Sequence, residues 1–143
     1  QHQALCQGAK RAAELLKGTD ITLLLEPLNT AVDHKGYYLS SSAEAFEIIE
    51  EVGSDRVKVL FDIYHQQITE GDLIRNIREN ISRIGHFHAA GCPGRHELDT
   101  GELNYPNIFH AIREAGYTGY VGLEYFPEKP VLEGLRKLAG RCG

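Results

Sequence analysis

Four times along this chain an apolar, β-favouring run stops at a side chain able to bind a metal ion, and a segment of helical period follows. The runs cover residues 21–26, Val57–Asp62, 84–88 and 120–124, and they end at Glu26, Asp62, His88 and Glu124. Before the first run, Leu5, Ala9, Ala12, Ala13 and Leu16 share one helical face across residues 2–17, with Gly18 as the expected stop. Ser41-Ser42-Ala43-Glu44 reads as a capping box opening a helix that carries Phe46, Ile49 and Val52 and ends at Gly53. A helix over residues 72–83 puts Leu73, Ile77 and Ile81 together. Another opens at Asn104-Tyr105-Pro106, turns Ile108, Phe109, Ile112 and Ala115 inward and stops at Gly116; a last one follows Pro130 with Leu132, Leu135, Leu138 and Ala139.

The order α-βα-βα-βα-βα has one physical consequence. Strands that alternate with helices pair in parallel through right-handed crossovers. These strands are apolar on both faces, so helices cover one side and a packed interior lies on the other. With 143 residues the chain supports one domain, whereas a complete eightfold barrel takes about 250. Four βα units fit either a small open sheet or half of a closed barrel, and periodicity alone does not choose. The polar stretch 89–103, rich in Gly, Pro and His, is too long for a simple connector, which marks it as a functional or disordered loop.

In a parallel α/β fold the C-terminal strand ends face one side, where active sites are built. One carboxylate there is explained equally well as a cap for the next turn. Three carboxylates and an imidazole at four ends out of four point to a shared ligand, because neighbouring strands lie about 4.8 Å apart. Crowded carboxylates repel one another, so a cation is their natural partner. The oxygen-rich set with one imidazole favours Mg²⁺ or Mn²⁺ and also admits Co²⁺ or Zn²⁺. Glu26 and Glu124, at opposite ends of the array, are the candidates for proton transfer next to a polarised carbonyl.

Other classes fit less well. The net charge is −5 and no basic cluster exceeds two residues, which argues against nucleic acid as a partner. No apolar run is long enough to span a bilayer and no segment resembles a secretion signal. Cys6, Cys92 and Cys142 form no C-x-x-C pair and read as reduced thiols of a cytoplasmic protein. The sequence contains no Met, so Gln1 is expected to be an internal position.

The segments Leu24-Leu25-Glu26-Pro27-Leu28-Asn29, Phe61-Asp62-Ile63-Tyr64-His65, Gly85-His86-Phe87-His88, Pro93-Gly94-Arg95-His96-Glu97, Gly101-Glu102-Leu103-Asn104-Tyr105 and Gly122-Leu123-Glu124-Tyr125 resemble those of the hydroxypyruvate isomerases. That family belongs to the xylose-isomerase-like barrels, with the ketose 3-epimerases and endonuclease IV. The resemblance implies the C-terminal half of a (β/α)8 TIM barrel: units five to eight with the helix before them, the first four units lying outside this sequence. It implies interconversion of hydroxypyruvate and 2-hydroxy-3-oxopropanoate through an enediolate, with Glu26 and Glu124 as the proton-transfer pair. A half barrel also exposes two sheet edges, so a homo-oligomer through those edges is expected.

Within that frame His65, three residues past Asp62, is expected to hydrogen-bond a substrate oxygen. Arg95 is expected to pair with the substrate carboxylate. Asn29 is expected to shape the turn after Glu26, and His96, Glu97 and Glu102 to hold the long loop by bonds to backbone. His34, His86 and His110 read as structural, and nothing marks Cys92 as a nucleophile. Two alternatives stand beside the isomerase. One is a ketose 3-epimerase, whose longer neutral substrate would not need Arg95. The other is a non-catalytic segment that keeps the ligands without the pocket. Endonuclease-like repair ranks third for want of further histidines and a basic face.

Overall fold

The computed structural model describes residues 1–139; Cys142 lies outside them. The elements run α1 (His2–Leu15), β1 (Leu23–Leu25), α2 (Ser42–Val52), β2 (Val57–Asp62), α3 (Ile63–Thr69), α4 (Leu73–Asn80), β3 (Ile84–Ala89), α5 (Tyr105–Glu114), β4 (Val121–Leu123) and α6 (Val131–Ala139). All three strand pairs are parallel and the sheet order follows the chain, β1-β2-β3-β4. Each crossover therefore moves one strand along, as in a barrel wall.

Helices and sheet meet in one core. Val57, Val59, Phe61, Ile84 and Phe87 are buried from the sheet, and Ala45, Phe46, Ile49, Ile77, Ile108 and Ile112 are buried from the helices against them. The Phe61 and Phe87 rings meet edge to face at 6.0 Å between centroids, the arrangement that the ring quadrupoles favour. The outer strands are shorter than the expected 21–26 and 120–124. Among the described residues each has one partner, and β1 leaves the ladder at Leu25↔Val59, where the β2–β3 register shifts between Val59 and Leu60. Ile21 and Tyr120, placed in those runs, are exposed instead.

Several local features differ from these expectations. Helix α3, unforeseen by the periodicity, starts because Asp62 caps it: Oδ1 accepts from the backbone N–H of Tyr64 at 2.8 Å and of His65 at 3.4 Å. The capping box at Ser41 is half formed. Ser41 Oγ accepts from Glu44 N–H at 3.4 Å, but the Glu44 carboxylate turns to Tyr38 and His2. The helix expected over 72–83 ends at Asn80 and tightens into a 3₁₀ turn over Ile81–Arg83. Of the apolar residues read on the last helix, Leu132 and Leu135 are exposed in α6, while Leu138 packs on the core.

The stretch 89–103 is folded. Cys92 and Gly101 form a parallel bridge, with Glu102 N–H donating to Cys92 O at 2.7 Å and Gly91 N–H to His96 O at 2.9 Å. Gly101 sits at φ 84°, and a side chain there would collide with the Cys92 carbonyl, so glycine is required. The Glu97 carboxylate accepts from the N–H groups of Glu128 and Lys129 at 3.0–3.3 Å, tying the loop to the approach of α6. Tyr105 clamps the start of the loop: its hydroxyl donates to Ala90 O at 2.6 Å and accepts from Ala90 N–H at 2.9 Å.

Candidate metal and acid-base site

Parallel pairing brings the four strand ends to one side, and with them the four expected donors. One ligand atom from each of Glu26, Asp62, His88 and Glu124 can be chosen so that all lie within 4.8 Å of one another. His88 Nδ1 is 3.3 Å from Glu124 Oε2 and 4.0 Å from Glu26 Oε1. Glu124 N–H donates to Ala89 O at 3.1 Å, which fixes the approach of the last donor. Glu26 follows β1 directly and Pro27 seals the chain after it.

The electrostatics of the cluster favour a positive charge among the carboxylates. Glu26 is pushed up to about 7, first by burial and then by the charges of Asp62 and Glu124, with Arg95 opposing. Burial also raises Asp62, against Arg95 and the two capping N–H groups. Glu26 Oε1 and His88 Nδ1 are buried without a hydrogen-bond partner. Buried polar atoms are nearly always paired, so these two fit the role of donors to a cation.

Arg95 partly supplies that charge. It sits in the left-handed region at φ 58°, and its backbone oxygen accepts from Phe126 N–H at 2.8 Å. From there its side chain, 13% exposed, reaches Asp62 Oδ2 at 3.4 Å and the Glu124 carboxylate, while Nε donates to Glu124 O at 3.3 Å. Its guanidinium carbon lies 5.1 Å from the centre of the Tyr64 ring, within cation–π range.

His65 is fully buried beside Asp62, with Nε2 at 3.6 Å from Asp62 Oδ2. Burial, then Arg95 and His34, lower it to about 4, so the ring is neutral near pH 7. Asp33 and Tyr64, which sequence reasoning passed over, belong to the same surroundings: Tyr64 donates to Asp33 Oδ2 at 2.8 Å. Neither stands at a strand end, so no spacing rule marks them. Cys92 is buried and its thiol is pushed up to about 11 by burial and Glu102, the opposite of nucleophile activation.

The profile of the xylose isomerase-like TIM barrel family matches residues 1–140. This chain is a member of that family. Among curated relatives it is similar to 2-oxo-tetronate isomerase of Cupriavidus necator, 44% identical over 124 residues, covering 87% of this chain and 47% of the relative. It is also similar to hydroxypyruvate isomerase of Escherichia coli, 38% identical over 135 residues, covering 94% of this chain and 52% of the relative. The chain thus spans about half the length of the curated relatives it matches. Among solved structures, a protein described as AP endonuclease, family 2, from Brucella melitensis superposes with TM-score 0.92 and 38% identity, over 97% of this chain and 54% of that one. A 3-keto-D-glucoside 4-epimerase of Escherichia coli superposes with TM-score 0.85 and 27% identity, over 98% and 52%. Among the described residues, no helix is long and apolar enough to cross a membrane.

Proposed function

We propose that this chain carries the metal and acid-base half of an isomerase acting on small oxo acids, with hydroxypyruvate and 2-hydroxy-3-oxopropanoate as the interconverted pair. The observation that carries this reading is the convergence of Glu26, Asp62, His88 and Glu124 within 4.8 Å under the guanidinium of Arg95. The two relatives named above act, by their names, on short oxo acids. Glu26, Asp62, His88 and Glu124 would hold the metal, Mg²⁺ or Mn²⁺ before Co²⁺ or Zn²⁺. Once bound, a divalent ion polarises carbonyl and hydroxyl oxygens and lowers the cost of negative charge on them.

The chain's own residues do the rest. Arg95 binds the substrate carboxylate through paired N–H bonds, and His65 donates Nε2–H to a substrate oxygen. One glutamate of the Glu26/Glu124 pair removes a proton from the hydroxymethyl carbon, leaving an enediolate. The other gives a proton to the neighbouring carbon, and the hydroxyl proton passes between the two oxygens. An aldehyde and a secondary alcohol replace the ketone and the primary alcohol, with no net change in atoms or electrons.

A second reading, a sugar epimerase, draws on the likeness to the 4-epimerase structure. Arg95 favours an acid over a neutral sugar, and a net charge of −5 disfavours nucleic acid. Incubation with Mg²⁺ and hydroxypyruvate in D₂O, followed by NMR, tests the proposal. Deuterium should enter the hydroxymethyl carbon and the carbinol carbon of the product. No exchange with Mg²⁺ shown to be bound overturns the isomerase reading for this chain, and exchange into neutral ketoses alone replaces it with the epimerase.

A further inference from the structure

Behind the strand-end cluster lies a polar belt, buried at Asn29 and His65 and open to solvent at Asp33, in which every side-chain polar atom of Asn29 can be accounted for. Asn29 is fully buried and uses every polar atom of its side chain. Its Oδ1 accepts from the backbone N–H of Val32 at 3.0 Å and of Asp33 at 3.2 Å. That fixes the amide orientation, because the flipped form would set NH₂ against two N–H donors. Nδ2 therefore has both hydrogens to give, one to Asp33 Oδ2 at 2.8 Å and one to His65 Nδ1 at 2.7 Å. The Asn29 backbone N–H points to the same ring nitrogen at 3.4 Å.

His65 Nδ1 thus faces two donors and must present its lone pair. A neutral imidazole carries one N–H, so the proton is on Nε2. Nε2 is the atom with no hydrogen-bond partner, buried and 3.6 Å from Asp62 Oδ2. We propose that Asn29 is a positioning residue that locks His65 in the Nε2–H tautomer and so supplies the site with a fixed hydrogen-bond donor beside Asp62. Asp33 completes the lock. It holds the second Asn29 hydrogen and the Tyr64 hydroxyl, and the Tyr64 ring lies under Arg95, so one belt orients both groups that would meet a substrate. The placing of a substrate at Nε2–H rests on the function proposed above; the tautomer does not.

The test is ¹⁵N–¹H correlation NMR on the metal-free, ¹⁵N-histidine-labelled chain, with the His65 signals assigned by their loss in His65→Gln. The expected spectrum has an unprotonated Nδ1 and a protonated Nε2; a proton on Nδ1 overturns the proposal without any further variant. The double substitution Asn29→Asp, Asp33→Asn reverses the donor order of the belt, so the His65 proton should move to Nδ1. Retention of Nε2–H in that variant, with amide signals elsewhere unchanged, also overturns it. Mg²⁺-dependent exchange into hydroxypyruvate should fall at least about tenfold in the double variant, the usual cost of losing a partner that orients a site histidine. Wild-type exchange with a moved proton overturns the positioning role. If the wild-type chain shows no exchange at all, the isomerase reading fails while the tautomer result stands on its own.

Discussion

The Arg95 guanidinium lies 3.4 Å from Asp62 Oδ2, so one of the four converging donors is already engaged by a cation that belongs to the chain. Arg95 also contacts the Glu124 carboxylate. A metal ion at the strand ends must share or displace these contacts, whereas a substrate carboxylate would draw the guanidinium away. Arg95→Met should therefore act with opposite signs on the two ligands. Calorimetric titration should show Mn²⁺ bound several-fold more tightly. The hydroxypyruvate concentration for half-maximal exchange should rise about 10- to 100-fold, the worth of a charged hydrogen-bonded pair. Weaker Mn²⁺ binding in the variant would show that Arg95 supports the metal site instead of competing for it.

The donors should separate by role. Glu26→Gln and Glu124→Gln each remove a proton-transfer group, and deuterium exchange should drop by at least about a hundredfold. Asp62→Asn keeps a side-chain oxygen for the Tyr64 and His65 N–H groups, and Asn is as good a helix cap as Asp. Its circular dichroism should match the parent chain while Mn²⁺ affinity falls. Exchange that survives both glutamine substitutions excludes the proposed pair.

Tyr105 ties the end of β3 to α5 through two bonds to Ala90, and its ring is 2% exposed. Tyr105→Phe keeps the ring and strands a buried N–H and C=O. Chemical unfolding should show a loss of about 1–3 kcal/mol. A change within error would mean that water or a backbone shift replaces both bonds.

How much of this was legible depends on which physical signal each feature leaves in the sequence. Val57–Asp62 carries its own pattern and matches the expected bounds, because β2 is paired on both sides. The outer strands fell short because their ends depend on pairing, which no local run encodes. The convergence of Glu26, Asp62, His88 and Glu124 was readable since a strand end is a place that sequence can specify. Asn29 was read as a turn residue and does bond the Val32 and Asp33 N–H groups. Its link to His65, 36 residues away, is a tertiary contact with no sequence signature. Asp33 and Tyr64 were invisible for the same reason.

Glu26 also couples the site to pH. Its carboxyl is raised in the folded chain from the ordinary 4.5 to about 7, so the fold favours the protonated form. The stability it contributes is complete below about 4.5 and is lost as pH rises through about 7. His65, lowered to about 4, has the opposite dependence, but its contribution is already complete above about 6.5 and is lost only as pH falls toward 4. In the window from about 6.5 to 8 His65 is silent. His2, raised by its bonds to Glu51 and Glu44, loses its stabilising proton there in the same direction as Glu26, so the carboxyl is isolated by the difference between the parent chain and Glu26→Gln. Across that window the metal-free chain should lose thermal stability, and Glu26→Gln should make that part of the profile shallower, leaving the slope that His2 contributes. A divalent ion competes with the proton for Glu26 and neutralises the charges that raise it. The rise in Tm caused by saturating Mg²⁺ or Mn²⁺ should accordingly be larger at pH 8 than at pH 6.5 in the parent chain, and nearly independent of pH in Glu26→Gln. A metal-induced shift equal at both pH values in the parent chain would place the ion away from Glu26.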